Sequence, residues 1–304
     1  MADLWEPVAG VFWRNAPLLP HIGWTVEFSD IITAVVGALA GAGIGAWAAG
    51  YISERNKLRE QLTKEIRDTN AAIVLALGMM NLGIGLKRQH VKALVENYIE
   101  QRAKCREMIA LMEKGQAQPE VPLINLLELQ EVAPPVNHLQ EIVLSRLSTT
   151  GRALAAVTEL TDAVFNLNAA LKRRNELISM FKKNDFPAGA RKEHFCFGLP
   201  YGNGETNEEY GDSIKGIDFY SNDIIFFGSE LCFDLREHAK ELIKDYKCKR
   251  LGGKTPDFIE FDLSKAHDQG LIPAAKDYEA WTSGFQKKAK KKKKRWYFYF
   301  CKQK

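Results

Sequence analysis

The feature that most constrains this chain is an uncharged run of 22 residues from Ile31 to Ile52, with the sequence IITAVVGALAGAGIGAWAAGYI. As an α-helix that rises about 1.5 Å per residue, this run would cross the roughly 30 Å hydrocarbon core of a bilayer. A buried core helix and a cleaved secretory signal are the alternatives. A signal begins with basic residues, whereas the thirty residues before the run contain four acidic residues and one arginine. The run therefore predicts a single transmembrane helix over residues 31–53.

Small residues recur every four positions in this run, in two adjacent rows. The rows are Gly37, Gly41 and Gly45, and Ala38, Ala42 and Ala46. In water each glycine costs a helix about 1 kcal/mol relative to alanine. In lipid, helices associate by close packing, and small residues four apart let two backbones approach each other. The spacing predicts a glycine zipper that joins copies into a homo-oligomer; packing on other helices of the chain, or no partner, is the alternative.

Lysine and arginine are distributed unevenly around the run. The fifteen residues before it contain neither type, and the stretch after it contains Arg55, Lys57, Arg59, Lys64 and Arg67. Because short-range basic residues stay on the cytoplasmic side, the C-terminal part is predicted to be cytoplasmic. Residues 1–30 then form an external or interfacial segment, with the N-terminus outside.

Beyond the run, apolar residues recur at spacings of three and four, which is typical of amphipathic helices that pack on one another. The longest stripe, interrupted only at Arg174, is Val157, Leu160, Val164, Leu167, Leu171, Ile178 and Phe181. The sequence predicts an all-α fold, with a long-helix bundle over 54–184, a loop connector over 185–211 and a C-terminal helical region over 212–286. The stripe favours an antiparallel partner within the chain, with an intermolecular coiled coil as the alternative.

Residues 71–86, AAIVLALGMMNLGIGL, form a second apolar run. This run is shorter than the roughly 20 residues that a membrane span needs, and it contains Asn81. We predict a buried helix of the bundle. The alternative is a re-entrant membrane segment, which would return the chain to the outer side.

The C-terminal tail, residues 287–304, joins a basic cluster to a run of aromatic residues. Its predicted lipid-binding residues are Lys287, Lys288, Lys290, Lys291, Lys292, Lys293, Lys294, Arg295, Trp296, Tyr297, Phe298, Tyr299 and Phe300. Basic residues near an anionic leaflet contribute about 1 kcal/mol each, and aromatic rings favour the headgroup boundary. The tail therefore predicts binding to anionic membrane lipids. Nucleic acid is the less favoured partner, and a merely solubilising tail is the remaining alternative.

Residue types that carry chemistry are scattered along the sequence. The six histidines form neither H-E-x-x-H nor a zinc spacing with cysteine, and the five cysteines form no C-x-x-C pair. The sequence predicts no catalytic residues, no metal site and no cofactor, and hence a protein that is not an enzyme.

These patterns together predict a membrane-anchored, self-associating helical protein. It would present a cytoplasmic interaction domain to a protein partner, in a structural or signalling role. The alternative is a membrane-permeabilising effector that is activated through the cytoplasmic helical domain. Some bacterial anti-phage defence systems have such an organisation, and the likeness is one of architecture alone.

Overall fold

The computed structural model describes residues 28–114, 123–149, 151–249, 251–252 and 254–285. These residues are mostly helical and contain no β-strand, and a single isolated bridge joins Tyr201 to Glu205. The prediction of a helical fold is therefore confirmed. The chain divides into two compact units, Met1–Leu58 and Arg59–Lys304.

Four long helices and several short ones make up the described residues. The long helices are α1 (Phe28–Leu86), α2 (Lys92–Glu113), α4 (Gly151–Lys183) and α6 (Glu209–Cys248). A π-helical turn, Lys87–Val91, joins α1 to α2. The short elements are α3 (Val136–Ser145), α5 (Lys192–Phe197), α7 (Ser264–Asp268), a 3₁₀ turn (Ala275–Tyr278) and α8 (Glu279–Ser283).

Helices α4 and α6 form the centre of the second unit. Arg152, near the start of α4, pairs with Asp234 in the second half of α6. Arg173, near the end of α4, pairs with Glu209 at the start of α6. The two helices are therefore antiparallel. Every apolar position of the α4 stripe is buried, and the stripe packs against α6 within the same chain.

The segment before α3 is extended, and it is held along α4 by side-chain amides. Asn168 accepts a hydrogen bond from the Val132 N–H (2.8 Å) and donates to the Val132 carbonyl (2.7 Å). Asn175 accepts a hydrogen bond from the Leu129 N–H (3.2 Å) and donates to the Leu129 carbonyl (2.7 Å). Each amide satisfies both backbone polar groups of one residue, so the segment needs no strand partner.

Residues 71–86 form the last part of α1, and in the second unit they supply the buried side chains of Ala72, Ile73, Ala76, Met79 and Met80. The choice between a bundle helix and a re-entrant membrane segment stays a prediction. The predicted connector, residues 185–211, is less irregular than expected, because it contains α5 and the first residues of α6.

Glycines let helices of the second unit approach closely at two places. A Cβ on Gly228 would stand 3.2 Å from Cβ of Met80, and one on Gly83 would stand 3.0 Å from Cγ1 of Ile225. Both contacts join α1 to α6. A larger residue at either position would push the two helices apart.

Candidate functional site

The two predicted rows of small residues lie on α1, in the first unit. All six residues are exposed. Among the described residues, no atom lies within 4 Å of the Cβ position of Gly37, Gly41 or Gly45. The chain's own described residues therefore do not fill the groove along these glycines. The helix–helix contact stays a prediction.

Large apolar side chains on the same part of α1 are also exposed. Leu39 and Ile44 each expose 68% of their surface and Trp47 exposes 73%. Trp47 stacks on Tyr51 with a ring-centroid separation of 6.0 Å, and the Arg55 guanidinium lies 5.6 Å from the Tyr51 centroid. Among the described residues, one helical stretch, Val35–Met112, contains a window long and apolar enough to cross a membrane by length and composition. The prediction of a candidate span near the N-terminus is confirmed to that extent.

The predicted lipid-binding residues, 287–300, lie outside the described residues. The lipid-binding role of the tail therefore stays a prediction. The same holds for residues 1–27, which make up most of the predicted external segment.

A groove between α2 and α6, in the second unit, has a volume of about 720 Å³. Its apolar wall includes Val95, Ile99 and Ala103 of α2 and Phe219 and Tyr220 of α6. Ile99 and Phe219 expose 60% and 59% of their surface, which is unusual for large apolar residues of a packed bundle. The sequence did not indicate this groove, because Ile99 and Ala103 fall outside the buried stripe of α2.

The rim of this α2–α6 groove carries more positive than negative charge. Arg102 donates to the carboxylate of Glu208 at 3.1 Å, and Lys215 donates to Asp212 at 2.9 Å. Arg106 also lines the groove and forms no ion pair with any described residue. An apolar wall with a guanidinium at its edge that no described carboxylate pairs with can hold an amphipathic segment that carries an acidic residue.

A polar contact at Glu65 joins three parts of the second unit. Its Oε1 accepts hydrogen bonds from the N–H (2.8 Å) and Oγ (2.6 Å) of Ser148, and it lies 3.0 Å from Nε2 of His238 on α6. Burial raises the pKa of Glu65, but these hydrogen bonds lower it, and the net pKa lies below the ordinary 4.5. Because Ser148 donates to the carboxylate rather than to the imidazole, the three residues form no nucleophile–base pair. The contact fastens α1 to α6 and to the loop after α3.

Three of the four described cysteines are buried, Cys248 is exposed on its own, and the potential metal ligands are dispersed. Burial raises the pKa of the thiols of Cys105 and Cys196, and raises that of Cys232 to about 12. Such thiols are weak nucleophiles at neutral pH. In the part of the chain that the structure describes, no three His, Cys, Asp or Glu residues are grouped as metal ligands.

Comparisons with protein families, with curated proteins and with solved structures find no match for this chain. What the molecule does is therefore inferred from its own residues and geometry.

Proposed function

We propose that this protein is a membrane-anchored, self-associating helical protein that presents a cytoplasmic interaction domain. The observation that carries the proposal is the exposed apolar surface of α1, where Leu39, Ile44 and Trp47 each expose at least 68% of their area. Burial of one such side chain is worth about 1.5–3 kcal/mol relative to water. A bilayer supplies that burial along the whole uncharged run, so the run is the anchor.

The anchor enters the membrane with its N-terminus outside. The basic residues that follow the run, from Arg55 to Arg67, hold the second unit on the cytoplasmic side. On that side the basic tail meets anionic lipid headgroups, which it binds through lysine charges and aromatic rings.

Copies of the anchor associate through the glycine row. The open space beside Gly37, Gly41 and Gly45 supports this step, because a second helix can enter it without displacing any described side chain. The small residues let the two helix backbones approach closely and make van der Waals contacts. Leucine side chains in the same positions would hold the helices too far apart for these contacts.

The interaction domain uses the α2–α6 groove. Its apolar wall and basic rim suit an amphipathic helix of a protein partner, laid with its apolar face on Ile99 and Phe219. An acidic residue of that helix pairs with Arg106, the rim cation that forms no ion pair with described residues.

The experiment that tests the anchor replaces two exposed residues of the run. A charged residue at the centre of a span costs about 2.5–3.5 kcal/mol. The unaltered protein should resist extraction from membranes by alkaline carbonate, and the variant with Leu39→Arg and Ile44→Arg should be extracted. The matched control is Leu123→Arg with Leu144→Arg, two exposed leucines of the second unit, and it should stay in the membrane fraction. Equal membrane retention of the two double variants would refute the anchor.

Orientation is tested with reporter fusions to the unaltered chain. A reporter after Lys304 should be active in the cytoplasm, and one before Asp3 should be active outside. Activity of both reporters on the same side of the membrane would instead mean that residues 71–86 return the chain through it.

The composition of the run supports one alternative, a membrane-permeabilising effector. More than half of its residues are Gly or Ala, and the Cβ positions of all five glycines have open space among the described residues. Helices of this kind pack on several faces, and a ring of them can open a pore. Overexpression that collapses the membrane potential favours the effector, whereas harmless accumulation in the membrane favours the anchor.

A further inference from the structure

Arg174, the residue that interrupts the apolar stripe of α4, is almost completely buried, with 1% of its surface exposed. An arginine cannot lose its proton in a protein, so its charge enters the core with it. A buried charge is costly unless it is paired or fully hydrogen-bonded. Among the described residues, no carboxylate lies within ion-pair distance of the Arg174 guanidinium. Within the described residues, the positive charge at this position therefore has no countercharge.

The hydrogen bonds of Arg174 leave part of the guanidinium unsatisfied. Nη1 donates to the carbonyl of Leu127 at 2.8 Å, and Nη2 donates to the carbonyl of Asn125 at 3.3 Å. The ring of Tyr210 lies 5.8 Å from Cζ. Nε is buried and has no acceptor among the described residues. Two neutral carbonyls and the Tyr210 side chain therefore face a group with five N–H donors and a full charge, and none of these neighbours carries a negative charge at neutral pH.

A cavity of about 140 Å³ lies next to Arg174. Arg174 and Asn125 line it, and Gln89 and His90 of the π-helical turn lie along its exposed side. None of the described residues that line the cavity is acidic. A π-helical turn within a longer helix is uncommon and recurs at functional sites. The cavity thus combines a buried cation, side chains that can donate hydrogen bonds, and access from solvent.

We propose that this cavity, termed here the Arg174 cavity, binds a small oxyanion: a carboxylate, phosphate or sulfate group. A guanidinium pairs with such a group through two parallel N–H donors, and the anion supplies the countercharge that the described residues do not provide. The Gln89 amide and a His90 ring N–H provide further donors at the mouth. The cavity has room for the anionic group itself, so the rest of a larger ligand would extend past Gln89 and His90 into solvent. This site is independent of the proposed membrane anchor.

The experiment is a calorimetric titration of the full chain, in non-ionic detergent, with inorganic phosphate at constant ionic strength. Saturable binding is expected. Arg174→Lys keeps the charge but loses the planar fork, and it should weaken phosphate binding about tenfold or more. Gln89→Ala combined with His90→Ala alters only exposed residues and should weaken binding at least about threefold. Arg88→Ala is the matched control, because Arg88 is exposed on the same turn and does not line the cavity.

Two results would overturn the proposal. One is the absence of saturable phosphate binding to the unaltered chain, which would leave Arg174 as a purely structural group satisfied by water. The other is binding that neither the Arg174→Lys change nor the double change at the mouth weakens, which would assign the phosphate to the basic tail. If Arg174→Lys fails to fold, the double change and its control decide the outcome. A phosphomonoester that binds more tightly than phosphate supports the site and indicates a larger ligand.

Discussion

Gly211→Ala should destabilise the second unit, although alanine is the better helix former. Gly211 lies in the first turn of α6, directly against Tyr98 of α2. A Cβ at this position would overlap the Tyr98 hydroxyl oxygen and stand 3.0 Å from Cζ of the same ring. The ring cannot simply turn aside, because it is 7% exposed and packs on Phe197 and Tyr210 at centroid separations of 6.2 Å.

The size of the effect follows from two opposing terms. Carbon atoms prefer separations of about 3.5–4.0 Å, so the Tyr98 ring must move by at least about 0.5 Å. Overpacking of this kind costs about 1–3 kcal/mol, and the gain in helix propensity returns at most about 1 kcal/mol. We expect a net loss of about 1–2 kcal/mol in the free energy of unfolding, or roughly 2–8 °C in Tm.

The assay is thermal unfolding of the full chain in detergent, followed by circular dichroism. Gly78→Ala is the matched control, because Gly78 is exposed on α1 with open space around it, and it should gain about 0.5–1 kcal/mol. Tyr98→Phe added to Gly211→Ala removes the overlapping oxygen but keeps Cζ, so it should restore part of the lost stability. A Gly211→Ala variant as stable as the unaltered chain, or a loss that Tyr98→Phe leaves unchanged, would refute the steric explanation.

Three further predictions concern the anchor, the tail and the Glu65 contact. Gly41→Ile fills the small-residue groove while raising apolarity, so crosslinked oligomers should decrease while membrane localisation persists; an unchanged oligomer distribution would move the contact elsewhere. In a peptide of residues 285–304, serine at positions 296–300 should strongly weaken binding to vesicles with anionic lipid and leave duplex DNA binding nearly unchanged; equal vesicle binding would exclude an aromatic anchor. The Glu65 pKa lies below its ordinary 4.5, because hydrogen bonds from Ser148 and His238 outweigh the effect of burial, so the ionised group stabilises the fold above that pH and ceases to do so as the pH falls through the lowered value. Glu65→Gln should therefore lower Tm at pH 7 and have a smaller effect near pH 3; a pH-independent difference would contradict the assignment.

The helices that depend on local pattern were predictable from the sequence. The stripe from Val157 to Phe181 identified α4 and its buried face, since spacings of three and four put these residues on one side of a helix. The start of α6 at Glu209 was missed, because the Pro- and Gly-rich stretch before it indicated a loop up to residue 211. Helix boundaries depend on capping and tertiary contacts that periodicity does not encode.

The sites that depend on tertiary placement were not predictable. The α2–α6 groove forms where Ile99 and Phe219 are brought together, and these residues are 120 positions apart in the chain. Arg174 was visible as an interruption of the stripe, but its acceptors, the carbonyls of Asn125 and Leu127, belong to an irregular segment. Glycine spacing likewise did not reveal that Gly211 is a packing contact.

The two asparagines on α4 that bind the segment before α3 fix the number of residues between their two partners in that segment. Asn168 and Asn175 are seven residues apart, which is about 10.5 Å along a helix, and their partners Val132 and Leu129 are three residues apart, which is about 10 Å in an extended chain. The spacing of the two asparagines along the helix therefore equals the spacing of their two partners, and the two segments run in opposite directions. Insertion or deletion of a single residue between positions 129 and 132 would therefore uncouple one amide and leave its backbone partners unpaired. In an insertion scan, this short stretch should be as intolerant as the interior of a helix, although it has no regular secondary structure.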